Sequence, residues 1–271
     1  MTGLSELQRS QYHKHGWIHI KQFYEPETDF YAFFDELNTL FGYLDCQGVS
    51  CPSGSIRDRI YNLSLSNRKA LGCIYRSLRH LPSLQNMLMD SRMASLCREL
   101  IPDLGVLNIC PYTATRIDIK GEEEYLFDWH QDYHYIQLSE DSVVIWFPFL
   151  DLDPGGAVEI LDSSHNKGIR RAEMIDPFNS EKNGAKTLSI LKDIDFDAYD
   201  RIIPDLEPGD ILAFSTLTIH RSIPQSTLPL RLTSQFRYGN FANLEAIKRG
   251  WPVGQLEGRP FHLDHADLIL N

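Results

Sequence analysis

Two histidines and one aspartate in this sequence have the residue types and the spacing of a metal site. His130 and Asp132 stand in the motif Trp129-His130-Gln131-Asp132, and His220 lies far downstream, after a Pro-Gly-Asp turn and an apolar run. Two imidazoles and one carboxylate form the facial triad of non-haem Fe(II) oxygenases, which leaves half of the coordination sphere open. The pattern therefore predicts an Fe(II) site made of His130, Asp132 and His220.

The first two ligands are expected to converge because their segment is predicted to be a strand. Residues i and i+2 of a strand point to the same face, and residues 125–138 have the composition of a strand. His130 and Asp132 should then aim into one barrel mouth. His262 and Asp264 have the same spacing, but they lie in a polar stretch without a strand pattern, so we interpret them as a decoy.

An arginine downstream of His220 suggests what occupies part of the open iron face. Arg231 follows His220 by eleven residues, and a guanidinium on an inward-facing strand can bind a carboxylate through two hydrogen bonds. Arg237 has the same face parity, and either arginine could instead form a surface ion pair. Ser222 could donate its hydroxyl to the same carboxylate.

The elements that must position these residues change character along the chain. Residues before 106 are predicted to be mainly helical, whereas short apolar segments separated by turn residues follow, as in a double-sheet β-barrel. Helices are predicted at 4–15 and 28–43, with two or three more within 67–101 broken near Pro82, and a loop at 44–57. Strands are predicted at 16–20, 106–119, 125–138, 143–150, 156–161, 210–215 and 230–238.

The 271 residues are predicted to form a single domain. In this division a helical part, 1–105, precedes a β core, 106–240, and a tail, 241–271, follows it. An irregular insertion at 166–205 interrupts the core. Long insertions in compact domains are often functional lids, so 166–205 is a candidate lid.

Composition narrows the class of partner. The net charge of −11 argues against nucleic acid and against an anionic membrane surface. The five cysteines form neither a disulfide framework nor a zinc pattern. No signal pattern or membrane-length apolar run is present, so we expect a cytoplasmic protein with a small-molecule substrate.

Several segments, in order, resemble the phytanoyl-CoA dioxygenase-like family of Fe(II)/2-oxoglutarate oxygenases over roughly residues 10–240. The matching segments are Gly16-Trp17-Ile18-His19-Ile20, Trp129-His130-Gln131-Asp132, Ser163-Ser164-His165-Asn166-Lys167-Gly168, Pro208-Gly209-Asp210-Ile211-Leu212, His220-Arg221-Ser222 and Arg231. Ser163 stands where the family has glycine. The resemblance implies a mainly β fold with flanking helices, built on a double-stranded β-helix (jelly-roll, cupin-like) core.

The resemblance also implies a set of ligands. Fe(II) would be bound by the three residues named above, with O2 as the co-reactant. The distal carboxylate of 2-oxoglutarate would be held by Arg231 and Ser222, and Gln131 and Trp146 would contact this cosubstrate. His165 is expected to be structural.

The activity implied is hydroxylation of an sp3 carbon with release of succinate and CO2. Related halogenases replace the metal carboxylate by a small residue, so Asp132 favours hydroxylation or desaturation. Candidate substrate-binding residues near the metal motif are Arg116, Tyr133, His134, Tyr135 and Gln137. Their polar and aromatic character favours a small polar metabolite or natural-product intermediate over a long acyl chain.

Two alternatives stay open from the sequence. The chain could be a sensor that binds metal and 2-oxoglutarate without turnover, although a decayed site would be expected to lose a ligand. It could also be a cupin-type metalloenzyme without 2-oxoglutarate, since zinc accepts the same donors. The second alternative leaves Arg231 and Ser222 unexplained.

Overall fold

In the computed structural model, the described residues are 3–173, 194–251 and 261–270. The helices are α1 (Glu6–His15), α2 (Pro26–Asp29), α3 (Tyr31–Tyr43), α4 (Ile56–Ser66), α5 (Arg68–Leu78), α6 (Pro82–Leu88), α7 (Ser91–Leu100), α8 (Leu244–Lys248) and α9 (Phe261–Asp264). The strands are β1 (Trp17–Ile20), β2 (Leu107–Ile109), β3 (Arg116–Ile119), β4 (Val143–Pro148), β5 (Val158–Leu161), β6 (Ala172–Glu173), β7 (Arg201–Ile202), β8 (Ile211–Ser215), β9 (His220–Ser222), β10 (Leu230–Asn240) and β11 (Ile269–Leu270).

The helical layer follows local signals in the sequence. Helix α5 begins after the cap Asn67, and α6 has Pro82 in its first turn, where proline costs no helical hydrogen bond. The prediction of two or three helices within 67–101 is confirmed by α5, α6 and α7. Helix α4 was missed, although Ser55 and Asp58 form a capping box at its start.

Two antiparallel sheets form the β part. The larger has the order β1-β8-β4-β10-β2, with β3 also paired to β10, and the smaller has the order β7-β5-β9. A single bridge between His130 and His220 extends the smaller sheet. A separate parallel pair joins β6 to β11. The two antiparallel sheets make the jelly-roll arrangement that the resemblance implies.

Strand β4 shows how the layers pack. All six of its residues are buried, because both faces of the larger sheet are covered. Val143, Ile145 and Phe147 lie in the cluster shared with the helices, whereas Val144 and Trp146 pack toward β5 and β8. This period-two alternation places the helical layer on one side of the sheet and a space between the two sheets on the other.

The predicted strand at 125–138 is wrong. Only His130 makes a strand-like bridge, and residues Asp132–His134 form a 3-10 turn in which the Tyr135 and Ile136 amides donate to the Asp132 carbonyl at 2.9 and 3.0 Å. The backbone here is irregular, but residues 129–138 are buried except for the half-buried Tyr135. A buried irregular segment therefore has the apolar composition of a strand. The predicted strand at 106–119 is likewise two strands, β2 and β3.

Two further expectations concern the surroundings of this core. Of the candidate lid, residues 166–173 and 194–205 are described and contain β6 and β7, whereas 174–193 lie outside the described residues. Among the helices that the structure describes, none has both the length and the apolar character needed to cross a bilayer.

Candidate metal centre and cosubstrate site

The three predicted metal ligands lie together. The Nε2 atom of His130 is 3.4 Å from Oδ1 of Asp132, and Nε2 of His220 is 3.7 Å from the same oxygen. All three residues are buried, and one ligand atom from each lies within 4.8 Å of the others. Two imidazole nitrogens and one carboxylate oxygen can all reach one divalent ion at bond lengths of roughly 2.0–2.2 Å.

A backbone bridge and a turn create this convergence. His130 and His220 each donate their amide to the other's carbonyl at 3.0 Å, which holds their rings 4.2 Å apart between centroids. Asp132 opens the 3-10 turn that follows. The turn, and not the alternation of a strand, brings its carboxylate back to the histidines.

Both imidazoles are oriented for metal binding by their other nitrogen. Nδ1 of His130 lies 2.7 Å from the Asp128 carbonyl, and Nδ1 of His220 lies 3.0 Å from the Thr218 carbonyl. A carbonyl only accepts, so each Nδ1 carries the proton and each Nε2 offers its lone pair. Burial, together with the neighbouring His130, lowers the pKa of His220 to about 3, which keeps that ring neutral.

Arg237 decides which oxygen of Asp132 faces the histidines. Its Nε donates to Oδ2 of Asp132 at 2.6 Å, and its Nη2 donates to Gln235 at 2.6 Å. Burial raises the pKa of Asp132, but the positive charge of Arg237 outweighs it and holds this pKa well below its usual range. The carboxylate is thus ionised, with Oδ1 left for a metal. The sequence indicated only that Arg237 shares the parity of Arg231 and did not predict this contact.

A cavity of about 250 Å³ opens onto the metal ligands. The three ligands line it together with five other residues predicted for the site: Arg116, Tyr135, Trp146, Ser222 and Arg231. Sequence reasoning did not predict the lining residues Tyr75, Arg79, Tyr112, Asp118 and Gln235. Those from the helical layer carried no signal, because nothing local indicates which helix covers a barrel mouth.

Arg231 is buried and largely committed to protein partners. Its Nε and Nη2 donate to Oδ2 of Asp118 at 3.0 and 2.8 Å, and its Nη1 donates to the carbonyls of Gly156 and Ala157 at 2.7 and 2.6 Å. Since a guanidinium has five N–H groups, one remains for a ligand. Ser222 accepts the Phe127 amide at 3.3 Å and keeps its hydroxyl proton. Both donors line the same cavity.

Asp118 links two of the cavity arginines. Arg116 donates to it at 2.6 Å from Nη2 and also donates to the Tyr125 carbonyl at 3.0 Å. Burial raises the pKa of Asp118, but Arg116 and Arg231 outweigh this and lower it. Together, Arg116, Asp118 and Arg231 carry one net positive charge, so this group of side chains still attracts an anion.

Gln131 lies outside the described cavity lining. Its amide nitrogen donates to the carbonyls of Gly168 and Leu217 at 2.9 and 2.6 Å, and its oxygen accepts the Arg170 amide at 2.8 Å. The side chain is fully buried. The structure therefore gives Gln131 a positioning role, joining the metal motif to two other segments, in place of the predicted cosubstrate contact.

Three of the predicted substrate residues also lie elsewhere. His134 is buried, its Nε2 donates to the Arg170 carbonyl at 2.8 Å, and burial lowers its pKa to about 4. Gln137 is buried and faces Arg249. Neither belongs to the described lining, and Tyr133 packs against Phe261 instead. Of the candidates, Arg116 and Tyr135 therefore remain for substrate contact.

The decoy motif lies in α9, at Phe261–Asp264, away from any strand. The side chain of His262 is outside the described residues. Within the described part of the chain, the group able to hold a metal ion is His130, Asp132 and His220.

Asp153 supports the position of Arg231 without touching it. Its carboxylate accepts the amides of Ser226, Thr227 and Leu228 at 2.5, 3.0 and 2.8 Å, just before β10. It also begins the turn that carries Gly156, one of the Arg231 acceptors. The carboxylate therefore fixes the loop before β10 to the turn that anchors Arg231.

We expect Asp153→Asn to destabilise the protein at pH 7 by about 1–3 kcal/mol. Burial raises the pKa of Asp153, but the hydrogen bonds from Thr227 and its neighbours outweigh this and lower it below the ordinary 3.8. Its contribution is thus complete above that value and is lost as the pH falls further. Chemical unfolding of both proteins from pH 7 downward should show the difference shrinking below pH 4, and a constant difference would contradict this account.

The fold is that of the jelly-roll 2-oxoglutarate-dependent enzymes. The solved carbocyclase SnoK from nogalamycin biosynthesis superposes with a TM-score of 0.59 at 14% identity, over 94% of each chain. The epimerase SnoN, solved in complex with Fe3+, alpha ketoglutarate and nogalamycin RO, gives 0.57 at 14% identity over 87% of this chain and 83% of that one. EctD from S. alaskensis, solved with 2-oxoglutarate and 5-hydroxyectoine, gives 0.55 at 14% identity, with coverages of 89% and 77%.

The family model for phytanoyl-CoA dioxygenase (PhyH) matches residues 12–232, and the chain belongs to this family. Its members use Fe(II), 2-oxoglutarate and O2, in agreement with the predicted cofactors. A 1-deoxypentalenic acid 11-beta-hydroxylase of Streptomyces arenae is 31% identical over 106 residues, 38% of this chain. A phytanoyl-CoA dioxygenase domain-containing protein 1 homolog of Dictyostelium discoideum is 29% identical over 135 residues, 48% of this chain. The matches span 36% and 46% of those relatives' lengths.

Proposed function

We propose that the protein is an Fe(II)/2-oxoglutarate-dependent dioxygenase that hydroxylates an sp3 carbon of a small polar metabolite or natural-product intermediate, with release of succinate and CO2. The observation that carries this proposal is the buried cluster of His130, Asp132 and His220, which opens into the same cavity as Arg231 and Ser222. The bound iron and cosubstrate would supply the oxidation of the C–H bond.

The residues of the chain orient and shield that chemistry. His130 and His220 would hold the metal through Nε2, and Asp132 through Oδ1. Arg231 and Ser222 would fix the far carboxylate of 2-oxoglutarate, and Trp146, which is buried in the cavity wall, would exclude water beside it. No side chain needs to act as a general base in this scheme.

Hydroxylation is the outcome that the relatives and the site favour together. Proteins named as 11-beta-hydroxylases match the chain, and Asp132 fills the position that must be open for a halide. The structural neighbours include an epimerase and a carbocyclase, so the fold alone does not select the outcome. Product analysis with a turned-over substrate is the measurement that decides it.

The first experiment is an anaerobic titration of the metal-free protein with Fe(II) and 2-oxoglutarate. We expect a weak visible charge-transfer band, because the keto acid would chelate the iron at coordination positions that the three protein ligands leave open. Ser222→Ala should shift the band's dependence on 2-oxoglutarate to higher concentration by about tenfold, as loss of one hydrogen bond to a charged group predicts.

The outcomes separate the three candidate functions. Metal binding without the band would favour a cupin-type enzyme that does not use 2-oxoglutarate. The band without substrate-stimulated succinate release, across a broad panel of small molecules, would favour the sensor. A band followed by substrate-dependent succinate release supports the oxygenase.

A further inference from the structure

The cavity next to the metal site carries more positive charge than the iron and cosubstrate require. Four arginines line it, Arg79, Arg116, Arg231 and Arg237, against two aspartates, Asp118 and Asp132. Because Fe(II) and the 2-oxoglutarate dianion cancel each other, two positive charges remain when both are bound. The whole chain has a net charge of −11, so this surplus is local and is not a property of the composition.

The four arginines differ in whether a protein acceptor already satisfies them. Arg116 and Arg231 share Asp118, and Arg237 is bound to Asp132 and Gln235. Within the described part of the chain, the Arg79 guanidinium has no hydrogen-bond or ion-pair acceptor. It is thus the cavity arginine whose whole guanidinium a ligand can engage without displacing a protein group.

Arg79 is held in place by contacts that leave its guanidinium without an anionic partner among the described residues. Its backbone carbonyl accepts from Gln85 at 2.8 Å and from Thr113 at 3.3 Å. Its guanidinium lies over the ring of Tyr112, 4.9 Å from the centroid, which restrains the side chain at small energetic cost. A positioned, unpaired guanidinium loses little entropy when it binds an anion.

The position of Arg79 suits a substrate better than the cosubstrate. Arg231 is 2% exposed and Arg237 6%, whereas Arg79, at the end of α5, is half-buried, so it lies nearer to the solvent side of the cavity. With 2-oxoglutarate bound to Arg231 and Ser222, as proposed above, Arg79 remains available to a substrate that enters the cavity from solvent.

We infer that Arg79 binds an anionic group of the substrate, a carboxylate or a phosphate, while the carbon to be oxidised lies toward the iron. Arg237 lines the same cavity, and its buried Nη1 has no hydrogen-bond partner within the described residues. This inference rests on the proposed function and adds the substrate class to it.

The test uses the anaerobic protein loaded with Fe(II) and saturating 2-oxoglutarate. Tyr75, Tyr112 and Phe127 line the cavity, so a ligand with an aromatic ring can pack against these side chains. Benzoate, its neutral counterpart benzamide and phenyl phosphate are titrated by calorimetry, while the charge-transfer band reports that 2-oxoglutarate stays bound. We expect benzoate or phenyl phosphate to bind at least tenfold more tightly than benzamide, and the better of the two identifies the anion.

Arg79→Gln should abolish the preference for the charged probe and leave the charge-transfer band unchanged. Arg79→Lys should keep part of the preference, because it retains the charge without the planar fork. The matched control is Arg98→Gln, the same change at an exposed arginine on α7, which should alter nothing.

Three results would overturn the inference: no binding of either anion, equal affinity for benzamide, or a preference that survives in Arg79→Gln. Failure of the proposed function looks different. In that case the band does not form in the wild-type protein before any probe is added.

Discussion

Asp132→Ala is expected to abolish 2-oxoglutarate turnover, with a loss of at least about 1000-fold. The carboxylate supplies the only oxygen of the His130–Asp132–His220 cluster, and its removal leaves two neutral imidazoles for the metal. The variant should also lose the stoichiometric Fe(II) binding that the wild type shows under anaerobic conditions. Iron content and succinate formation measure the two effects separately.

The same substitution should destabilise the metal-free protein by about 3–5 kcal/mol, because it leaves Arg237 buried without its counter-ion. A double variant, Asp132→Ala with Arg237→Met, removes both charges and should recover most of this stability but none of the turnover. If the double variant is as unstable as the single one, Arg237 is not the cause.

Asp264→Ala is the matched control, since it removes the carboxylate of the other His-x-Asp motif. Asp264 lies in α9, outside the metal cluster, so turnover and iron binding should be unchanged. Equal losses in Asp132→Ala and Asp264→Ala would mean that the metal site has been assigned to the wrong motif.

Residue type and order were sufficient to predict the cluster of His130, Asp132 and His220. The predicted cause of their convergence, a shared strand, was wrong. The parity of a strand predicted that His130 and Asp132 share a face, yet Asp132 lies in a 3-10 turn. What the pattern could detect was the chemistry of the donors and their distant partner His220. The bridge that joins His130 to His220 depends on the pairing of the smaller sheet, which no local signal encodes.

The charged partners of the ligands could not be predicted. Asp118 reaches Arg231 across 113 residues, and Arg237 reaches Asp132 across 105, so each pair exists only once the strand register is set. Strand β10 aligns Arg231 with Asp118. A shift of one residue would turn both arginines to the helical face. Position in the sequence also suggested a wrong neighbour for Gln131. It lies between His130 and Asp132, but its side chain forms hydrogen bonds with Gly168, Arg170 and Leu217.

Arg231→Gln should raise the KM for 2-oxoglutarate by about 100-fold, equivalent to about 2.7 kcal/mol, and excess cosubstrate should partly restore the rate of turnover. The guanidinium is the buried cation expected at the far carboxylate, and glutamine cannot provide its charge. Initial rates of succinate release at varied 2-oxoglutarate give the two constants.

A loss of affinity in Arg231→Gln could also arise through Asp118, which the substitution leaves with one fewer partner. Arg116→Gln is the matched control, because it removes the other arginine from the same carboxylate. Both variants should lose stability, and Arg231→Gln should lose more since Arg231 also holds two backbone carbonyls. Only Arg231→Gln should show the large change in KM for 2-oxoglutarate. Similar KM values in the two variants, or no rescue by excess cosubstrate, would make Arg231 a structural residue and assign the cosubstrate carboxylate to another cation of the cavity.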